Sequence, residues 1–322
     1  MLDLNSLSLA ELYTHFARTG LVRRLIEIAR DEDLGPAGGF GGAWGTLSGD
    51  VTGASCPFDG RERLALLRAR SPGVACGLAV VPEILSLVSP GCRFAPSKRD
   101  GTEMRAGETI GEIVGPIRQV LAAERMILNL VGRLSGVSTR TRRFLSAMGG
   151  EFASTATRLY DTRKTTPGLR VLEKYAVRCG GGCCHRVGLF DAALIKDNHI
   201  AHLKLEDLPE FIRSAAEAAR RQTGGLLSFV EVEVDSLAQL DAVMTLEPGV
   251  VDVVLLDNMG AEALTQAVAI RDRRGPRPEL EASGGITLET IAQVARTGVD
   301  RISVGSLTHG SASIDVGLDL QP

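Results

Sequence analysis

The spacing of apolar residues divides the chain into two stretches of different character. In the first third, helical and strand-like periods are mixed. Ser8-Leu9-Ala10-Glu11 has the form of a capping box, a hydroxyl residue three positions before a carboxylate, and predicts a helix start. Leu21, Val22, Leu25, Ile28 and Ala29 recur at helical spacing and predict a second helix. Gly35 to Gly53 is rich in glycine, lacks apolar periodicity and has Trp44 as its one large anchor, so it predicts a loop. Arg61 to Arg70 and Gly73 to Val81 predict strands, and Pro82 opens a short helix through Leu87. Gly101 to Ile117 holds short strands punctuated by glycine. Together these predict an α+β unit. A long helix follows from near Gln119. Ile127, Leu130, Val131 and Leu134 form its apolar stripe, Glu124, Arg125 and Arg133 fall elsewhere on its surface, and Gly149-Gly150 ends it.

Beyond that helix the pattern becomes a regular alternation. Short apolar runs (Phe152–Leu159, Ala192–Lys196, Phe229–Val234, Val250–Leu256, Leu280–Ala282 and Arg301–Val304) are separated by helical stretches. Helix starts are visible at Thr166 with Pro167, at Asp207 with Pro209, at Ser236 and at Thr287. Repeated strand-then-helix predicts a parallel sheet, either doubly wound or closed as a barrel. The strand ends favour the barrel. Nearly every run ends in ligand-capable groups: Asp161-Thr162-Arg163-Lys164, Lys196-Asp197-Asn198, Glu231-Val232-Glu233, Asp257-Asn258, Ser283-Gly284-Gly285 and Gly305-Ser306. A barrel collects its site from the carboxyl ends of all its strands, whereas a doubly wound sheet uses mainly one crevice. No strand is followed by Gly-x-Gly-x-x-Gly, and no P-loop is present.

Composition narrows the chemistry. Aromatic residues are 4% of 322, so the core must be built from aliphatic side chains. The amino-terminal stretch shows no secretory pattern and no run long enough to span a membrane, so a cytoplasmic protein is expected. Six cysteines read as reduced thiols, and Cys179, Cys183 and His185 match no common zinc spacing. The net charge is −3, yet Tyr160 to His199 concentrates Arg163, Lys164, His185, Arg186 and Lys196 around glycines. Local positive charge in a mildly acidic chain points to a small anion rather than to nucleic acid.

Arg163 and Arg186 can grip carboxylates with two parallel hydrogen bonds, while Lys164 and Lys196 act as point charges. Alternatively, some of these cations pair with Glu233 or Asp257 inside the barrel. Those two acids end neighbouring strands and can bind Mg²⁺ or sugar hydroxyls. Ser283, Gly284, Gly285, Gly305 and Ser306 close the last two strands, where α/β barrels commonly cradle phosphate on backbone N–H groups. The residues by themselves thus predict an α/β-barrel enzyme acting on a polyanionic small molecule, with a sugar phosphate and Mg²⁺.

Several motifs carry a closer likeness. Asp161 to Arg170, Glu173 to Val177, Gly180-Gly181-Gly182, His185 to Leu189 and Leu194 to His199 resemble quinolinate phosphoribosyltransferase. So do Glu124-Arg125 with Asn129, Leu134-Ser135-Gly136, Val230 to Val234, Leu255 to Asn258, Ser283 to Ile286 and Gly305 to His309. The resemblance is strong over residues 120–310. It implies transfer of phosphoribosyl from phosphoribosyl pyrophosphate to quinolinate, giving nicotinate mononucleotide, pyrophosphate and CO₂, with Mg²⁺, in NAD biosynthesis. It implies an N-terminal α/β sandwich (residues 1–125, joined by a C-terminal return, 308–322) and an incomplete, seven-stranded-type α/β barrel (126–307), the type II phosphoribosyltransferase architecture. It also implies a homodimer in which Arg125 reaches the partner's site. Arg163, His185 and Arg186 would hold the two carboxylates of quinolinate, with Lys164 and Lys196 close by. Glu233 and Asp257 would serve the ribose hydroxyls and Mg²⁺, directly or through the pyrophosphate. Ser283, Gly284, Gly285, Gly305 and Ser306 would take the 5′-phosphate.

The chain departs from the family pattern at Cys184, where Asn usually precedes the His, and in longer segments at 35–49 and 201–228. Molybdenum-transport-associated relatives share the Asp-Thr-Arg-Lys-Thr motif, and a non-catalytic phosphosugar-binding homologue is a further alternative. The Ile195 to His199 stretch argues against the former, and the presence of both Glu233 and Asp257 against the latter.

Overall fold

A computed structural model of the chain describes residues 2–35, 49–149, 157–275 and 278–322. Trp44, Gly150 and the beginning of the run expected from Phe152 lie outside the described residues. The chain begins with α1 (Leu9–Arg18), α2 (Leu21–Leu34), α3 (Val51–Ser55), β1 (Glu62–Ala69), β2 (Gly73–Val74), α4 (Val81–Val88), β3 (Arg93–Pro96), β4 (Glu103–Met104), β5 (Thr109–Pro116) and α5 (Ile117–Ala147). It continues through β6 (Arg158–Tyr160), α6 (Arg170–Gly180), β7 (Ala193–Ile195), α7 (Asp197–Ile200), α8 (Leu208–Gln222), β8 (Val230–Val234), α9 (Leu237–Val243) and β9 (Val253–Asp257). It closes with α10 (Ala261–Asp272), β10 (Glu279–Ser283), α11 (Ile291–Ala295), β11 (Arg301–Ser303) and β12 (Val316–Leu320). These elements form two compact units, one of residues 7–142, 165–181 and 307–322, the other of residues 1–6, 143–164 and 182–306. The border expected after residue 125 falls inside α5.

The first unit is built on an antiparallel sheet in the order β12-β1-β5-β3. The C-terminal strand therefore pairs with the first long strand, Ala65 opposite Leu320 and Ala69 opposite Val316. The Ser8 capping box forms as expected, with Ser8 N–H donating to Glu11 Oε2 at 2.9 Å. The run Gly73–Val81 is a strand only at its first two residues. Gly77 turns the chain at φ 95°, and the Asp100 carboxylate accepts the N–H groups of Leu78 and Ala79, so helical structure replaces the strand. Thr166 does not cap α6. Its N–H and hydroxyl both donate to Glu173, at 2.9 and 2.8 Å, and the helix begins later, at Arg170. Likewise α11 starts at Ile291, after a turn that follows Thr287.

Arg133 is not a surface residue of α5. Its guanidinium donates to Glu173 Oε1 at 2.7 Å and to the carbonyls of Thr308 and Ser311 at 2.8 and 2.5 Å, and Glu173 is fully buried. A buried carboxylate is retained where a cation and further donors meet it. The clamp joins α5, α6 and the segment leading to β12. Gly132 and Gly136, one turn apart on α5, let that same segment approach. Ile314 N–H donates to Gly132 O at 2.9 Å, and a Cβ on Gly136 would lie 2.0 Å from Ala312 O.

In the second unit, six parallel strands run in the order β6-β11-β10-β9-β8-β7. Residues 182–184 add a seventh, bridge-length member, because Cys183 pairs in parallel with Tyr160 on the free side of β6. The register puts Leu159, Val230, Val232, Val254, Leu256, Leu280, Ala282 and Ile302 on one face, all buried and apolar. The other face carries Arg158, Tyr160, Arg301, Ser303, Glu279, Glu281, Leu255, Glu231 and Glu233. Closure of the sheet explains this division. His185, two residues past Cys183, lies 3.0 Å from Glu231 on β8. In a flat sheet, five strand spacings would separate them by about 24 Å. The sheet is rolled, and its polar face is the barrel interior. Among the described residues, no helix is long and apolar enough to cross a membrane.

Replacing Gly136 by Ala should destabilise the protein by about 1–3 kcal/mol, the usual range for overpacking against a backbone that cannot move away. Denaturant unfolding tests this, and an unchanged midpoint would show that the 312–314 segment is not pressed onto α5.

Candidate active site

Each barrel strand delivers its candidate groups at its carboxyl end. Reading across the sheet, these are Arg163 and Lys164 after β6, Gly305 and Ser306 after β11, Ser283 to Gly285 at the end of β10, Asp257 on β9, Glu233 on β8 and Lys196 after β7. The structure therefore brings every candidate except Arg125 to one end of one parallel sheet. Arg125 belongs to the first unit. It is exposed on α5 and lines a cavity of about 480 Å³ with Asp33, Asp50, Thr52 and Phe58.

The two sides of this end are built differently. On the glycine side, Ser283 pairs with Asp257 in register, and Gly284 and Gly285 follow at φ 95° and 63°. A Cβ on Gly284 would lie 2.2 Å from the Asn258 side-chain oxygen, whereas nothing stands within 4 Å of one on Gly285. Asn258 is itself left-handed, at φ 54°, and its amide donates to Asp257 at 2.8 Å. The backbone here has turned twice beside open space, as an anion cradle requires.

On the cationic side, five consecutive N–H groups are held by side chains. Cys184 N–H donates to Asn5 Oδ1 at 2.7 Å and His185 N–H to Asp161 Oδ1 at 2.7 Å. Arg186 N–H donates to Nδ1 of His185 at 2.8 Å, and Val187 and Gly188 donate to the two oxygens of Asp191 at 2.7 and 2.8 Å. Asn5 also donates to Cys184 O at 3.0 Å. The Asn-to-Cys departure at 184 therefore leaves the loop secured, because its main chain is gripped from both ends of a remote amide.

Behind the loop lies a feature that the strand ends alone did not reveal. Nε2 of His185 stands 3.0 Å from Glu231 and 3.5 Å from Glu281, and both acids are fully buried. Below them, Arg301 pairs with Glu279 at 2.5 Å, reaches Glu281 at 4.0 Å and stacks over Tyr160 and Phe229. The signal for this was the alternation Val230-Glu231-Val232-Glu233-Val234. In a parallel sheet covered on both faces, the polar half of such an alternation has to be buried. His185, Glu231 and Glu281 have ligand atoms within 4.8 Å of one another, and the contact with His185 together with the nearby Arg301 brings positive charge to the two acids. Among the described residues, the cysteines form no such group.

Burial opposes a charge on His185, but Glu231 and Glu281 outweigh it and push its pKa up to about 10. The Arg186 N–H acts in the opposite sense, since a doubly protonated ring has no lone pair at Nδ1. Both constraints are met when the trio carries its proton as a unit, partly on Glu231, whose pKa burial and the Glu281 charge raise. Both ring nitrogens of His185 are thus engaged by protein. Burial and the neighbouring Arg163 guanidinium lower the pKa of Arg186, against the pull of Glu231, Asp191 and Glu233. Two guanidiniums that repel each other are suited to a multiply charged anion. Lys196 Nζ lies 2.5 Å from Glu233 Oε2, so the alternative of an internal ion pair is realised for that lysine.

Comparison with known proteins follows the same lines. Residues 50–135 match the N-terminal domain of quinolinate phosphoribosyl transferase, and residues 137–319 match its C-terminal domain. A nicotinate-nucleotide pyrophosphorylase [carboxylating] from Mycobacterium leprae is 43% identical over 254 residues, 78% of this chain and 84% of the relative. A probable nicotinate-nucleotide pyrophosphorylase [carboxylating] from Bacillus subtilis is 38% identical over 85% of this chain and 88% of its own length. The solved nicotinate-nucleotide pyrophosphorylase from Francisella tularensis superposes with a TM-score of 0.79 at 32% identity, covering 100% of both chains.

A pKa raised on folding adds stability that is complete below the unfolded value, about 6.5 for histidine, and that is lost as pH climbs through the folded value. The stability advantage of the native protein over His185→Gln should therefore shrink between pH 7 and 10. The slope should be at most about 1.4 kcal/mol per pH unit, that of one proton. Unfolding at several pH values checks this, and a constant difference would mean the trio holds no extra proton.

Proposed function

The chain belongs to the quinolinate phosphoribosyl transferase family, and from that premise we propose how its residues divide the work. The reaction transfers phosphoribosyl from phosphoribosyl pyrophosphate to quinolinate, with release of pyrophosphate and CO₂ and formation of nicotinate mononucleotide. The observation that supports this assignment of roles is the meeting of Arg163 and Lys164 after β6, Lys196 after β7 and a double left-handed glycine turn after β10 at one end of the barrel.

Arg163 and Arg186 take the two carboxylates of quinolinate, with Lys164 and Lys196 completing the positive field. His185, expected with them at the carboxylates, is instead assigned a supporting role behind Arg186, because its ring contacts Glu231, Glu281 and the Arg186 N–H. Ser283, Gly284, Gly285, Gly305 and Ser306 receive the 5′-phosphate on backbone and hydroxyl donors, and Asp257 and Glu233 receive the ribose hydroxyls. Held in this way, the pyridine nitrogen faces C1 of the ribose. Pyrophosphate departs through an oxocarbenium-like state while the nitrogen attacks, so the main contributions are orientation and charge stabilisation. The new quaternary nitrogen draws electron density from C2 of the pyridine, the C2 carboxylate leaves as CO₂, and C2 takes up a proton. No covalent nucleophile is required.

Glu233 and Asp257 would hold Mg²⁺, directly or through the pyrophosphate. Two carboxylates at the ends of adjacent strands suit an ion that is usually bound by one or two carboxylates plus substrate phosphates. Lys196 would then share Glu233 with it. When bound, the ion supplies neutralising charge to the leaving pyrophosphate.

Purified protein with quinolinate, phosphoribosyl pyrophosphate and Mg²⁺ should release nicotinate mononucleotide and CO₂, while nicotinate should be a poor acceptor because it offers one carboxylate to two guanidiniums. No product above an enzyme-free blank would end the assignment of activity, and comparable turnover of nicotinate would end the dicarboxylate reading. We further propose a homodimer in which Arg125 serves the partner's pocket. Mixing inactive Arg125→Ala with inactive Lys164→Ala should then restore part of the activity through hybrid dimers. No recovery despite demonstrated subunit exchange would refute a shared site.

A further inference from the structure

The substrate-binding loop is secured from inside the barrel. Of the five N–H groups held between Cys184 and Gly188, four go to Asn5, Asp161 or Asp191. The fifth, on Arg186, goes to a ring that is itself held by Glu231 and Glu281. Tyr160 and Phe229 pack against that ring in T-shaped pairs, at centroid distances of 6.3 and 5.2 Å. The imidazole can turn about its χ angles only by giving up the carboxylates. A turn would also remove the acceptor from the Arg186 N–H, leaving a buried amide unsatisfied.

We propose that Glu231 and Glu281 are positioning residues for the dicarboxylate subsite: by holding Nε2 of His185 from within the barrel they fix, through Nδ1, the main chain from which the Arg186 guanidinium reaches the substrate. This rests on the reading that Arg163 and Arg186 bind the two carboxylates of quinolinate. Neither acid touches substrate in this arrangement. Glu231 and Glu281 sit one layer below Glu233 and Ser283 on the same strands, β8 and β10. Two acids do what one could not. Glu231 makes the 3.0 Å contact to the ring, while Glu281 stands 3.5 Å from the same nitrogen and also faces Arg301, linking the ring to the charged floor. The Gln substitutions keep the shape and one acceptor oxygen but remove the negative charge that faces the ring.

Steady-state kinetics of Glu231→Gln and Glu281→Gln test the proposal. The KM for quinolinate should rise about tenfold, with kcat and the KM for phosphoribosyl pyrophosphate within about twofold. Adding Glu231→Gln to His185→Gln should raise that KM no further, because the acid acts only through the ring. An unchanged KM in both single variants, a loss confined to kcat, or additive effects in the double variant would overturn the proposal. Thermal melting identifies which variants fold. Independently of any substitution, ¹⁵N-histidine spectra of the native protein should show the ring nitrogens of His185 unmoved by quinolinate. A large shift at Nε2 would mean that the ring leaves Glu231 to bind the ligand itself, which also overturns it. Failure of the native protein to turn over quinolinate would defeat the functional reading, whereas an active native protein with indifferent variants would defeat this inference alone.

Discussion

Two carboxylates without solvent access, Glu231 and Glu281, sit inside the barrel, and the arrangement of the pocket depends on keeping them there. An isolated buried charge is costly enough that a protein either neutralises it or surrounds it with partners. Here the partners are His185 above and Arg301 below. His185 can serve only if the sheet rolls far enough to bring the edge segment at Cys183 across the interior to β8. The same contact therefore closes the barrel, meets the acids with positive charge and aims the loop that carries Arg186. Arg301 extends the pattern downward through Glu279 and Arg158, so the interior is a stack of alternating charges rather than an aliphatic core.

The barrel mouth uses backbone N–H groups in two opposite ways. Between Cys184 and Gly188 they are all consumed by side chains, which makes that loop rigid and leaves recognition to guanidiniums. At Gly284 and Gly285 the chain takes two left-handed conformations, the first packed against Asn258 and the second beside open space, a setting suited to presenting N–H groups to an incoming anion. A flat aromatic dicarboxylate and a flexible sugar phosphate place different demands on a pocket. Forks at fixed positions suit the first, and a backbone cradle suits the second. In the first unit, the Arg133–Glu173 clamp and the close approach at Gly132 and Gly136 tie the C-terminal segment to α5, so β12 can complete the sheet beside β1.

Much of this was legible in the chain. The alternation of short apolar runs with capped helices specified a parallel sheet, because strand period and cap chemistry are local properties carried by neighbouring residues. The polar groups after each run specified the functional end, because all strands of a parallel barrel point the same way. Where local reading failed, a distant side chain had intervened. Beyond the two-residue strand Gly73–Val74, Asp100 stabilises a helical turn by accepting the N–H groups of Leu78 and Ala79, and Glu173 engages the Thr166 hydroxyl that would otherwise have capped α6. Arg133 looked like a surface residue because its acid partner lies forty positions away.

The sequence by itself therefore determined the alternation of strands and helices in the second unit, the barrel class and the inventory of cations, acids and glycines at the mouth. Only the tertiary structure decided what those groups do to one another. Val230 to Val234 declares an alternation but not which face is inward. That choice belongs to the closed sheet, in which β8 and the Cys183 edge meet across the interior. The charged surroundings of His185 follow from that closure, and the pairing of Lys196 with Glu233 follows from the neighbouring ends of β7 and β8. Each depends on distances of a few ångströms between residues tens of positions apart, which no local pattern encodes.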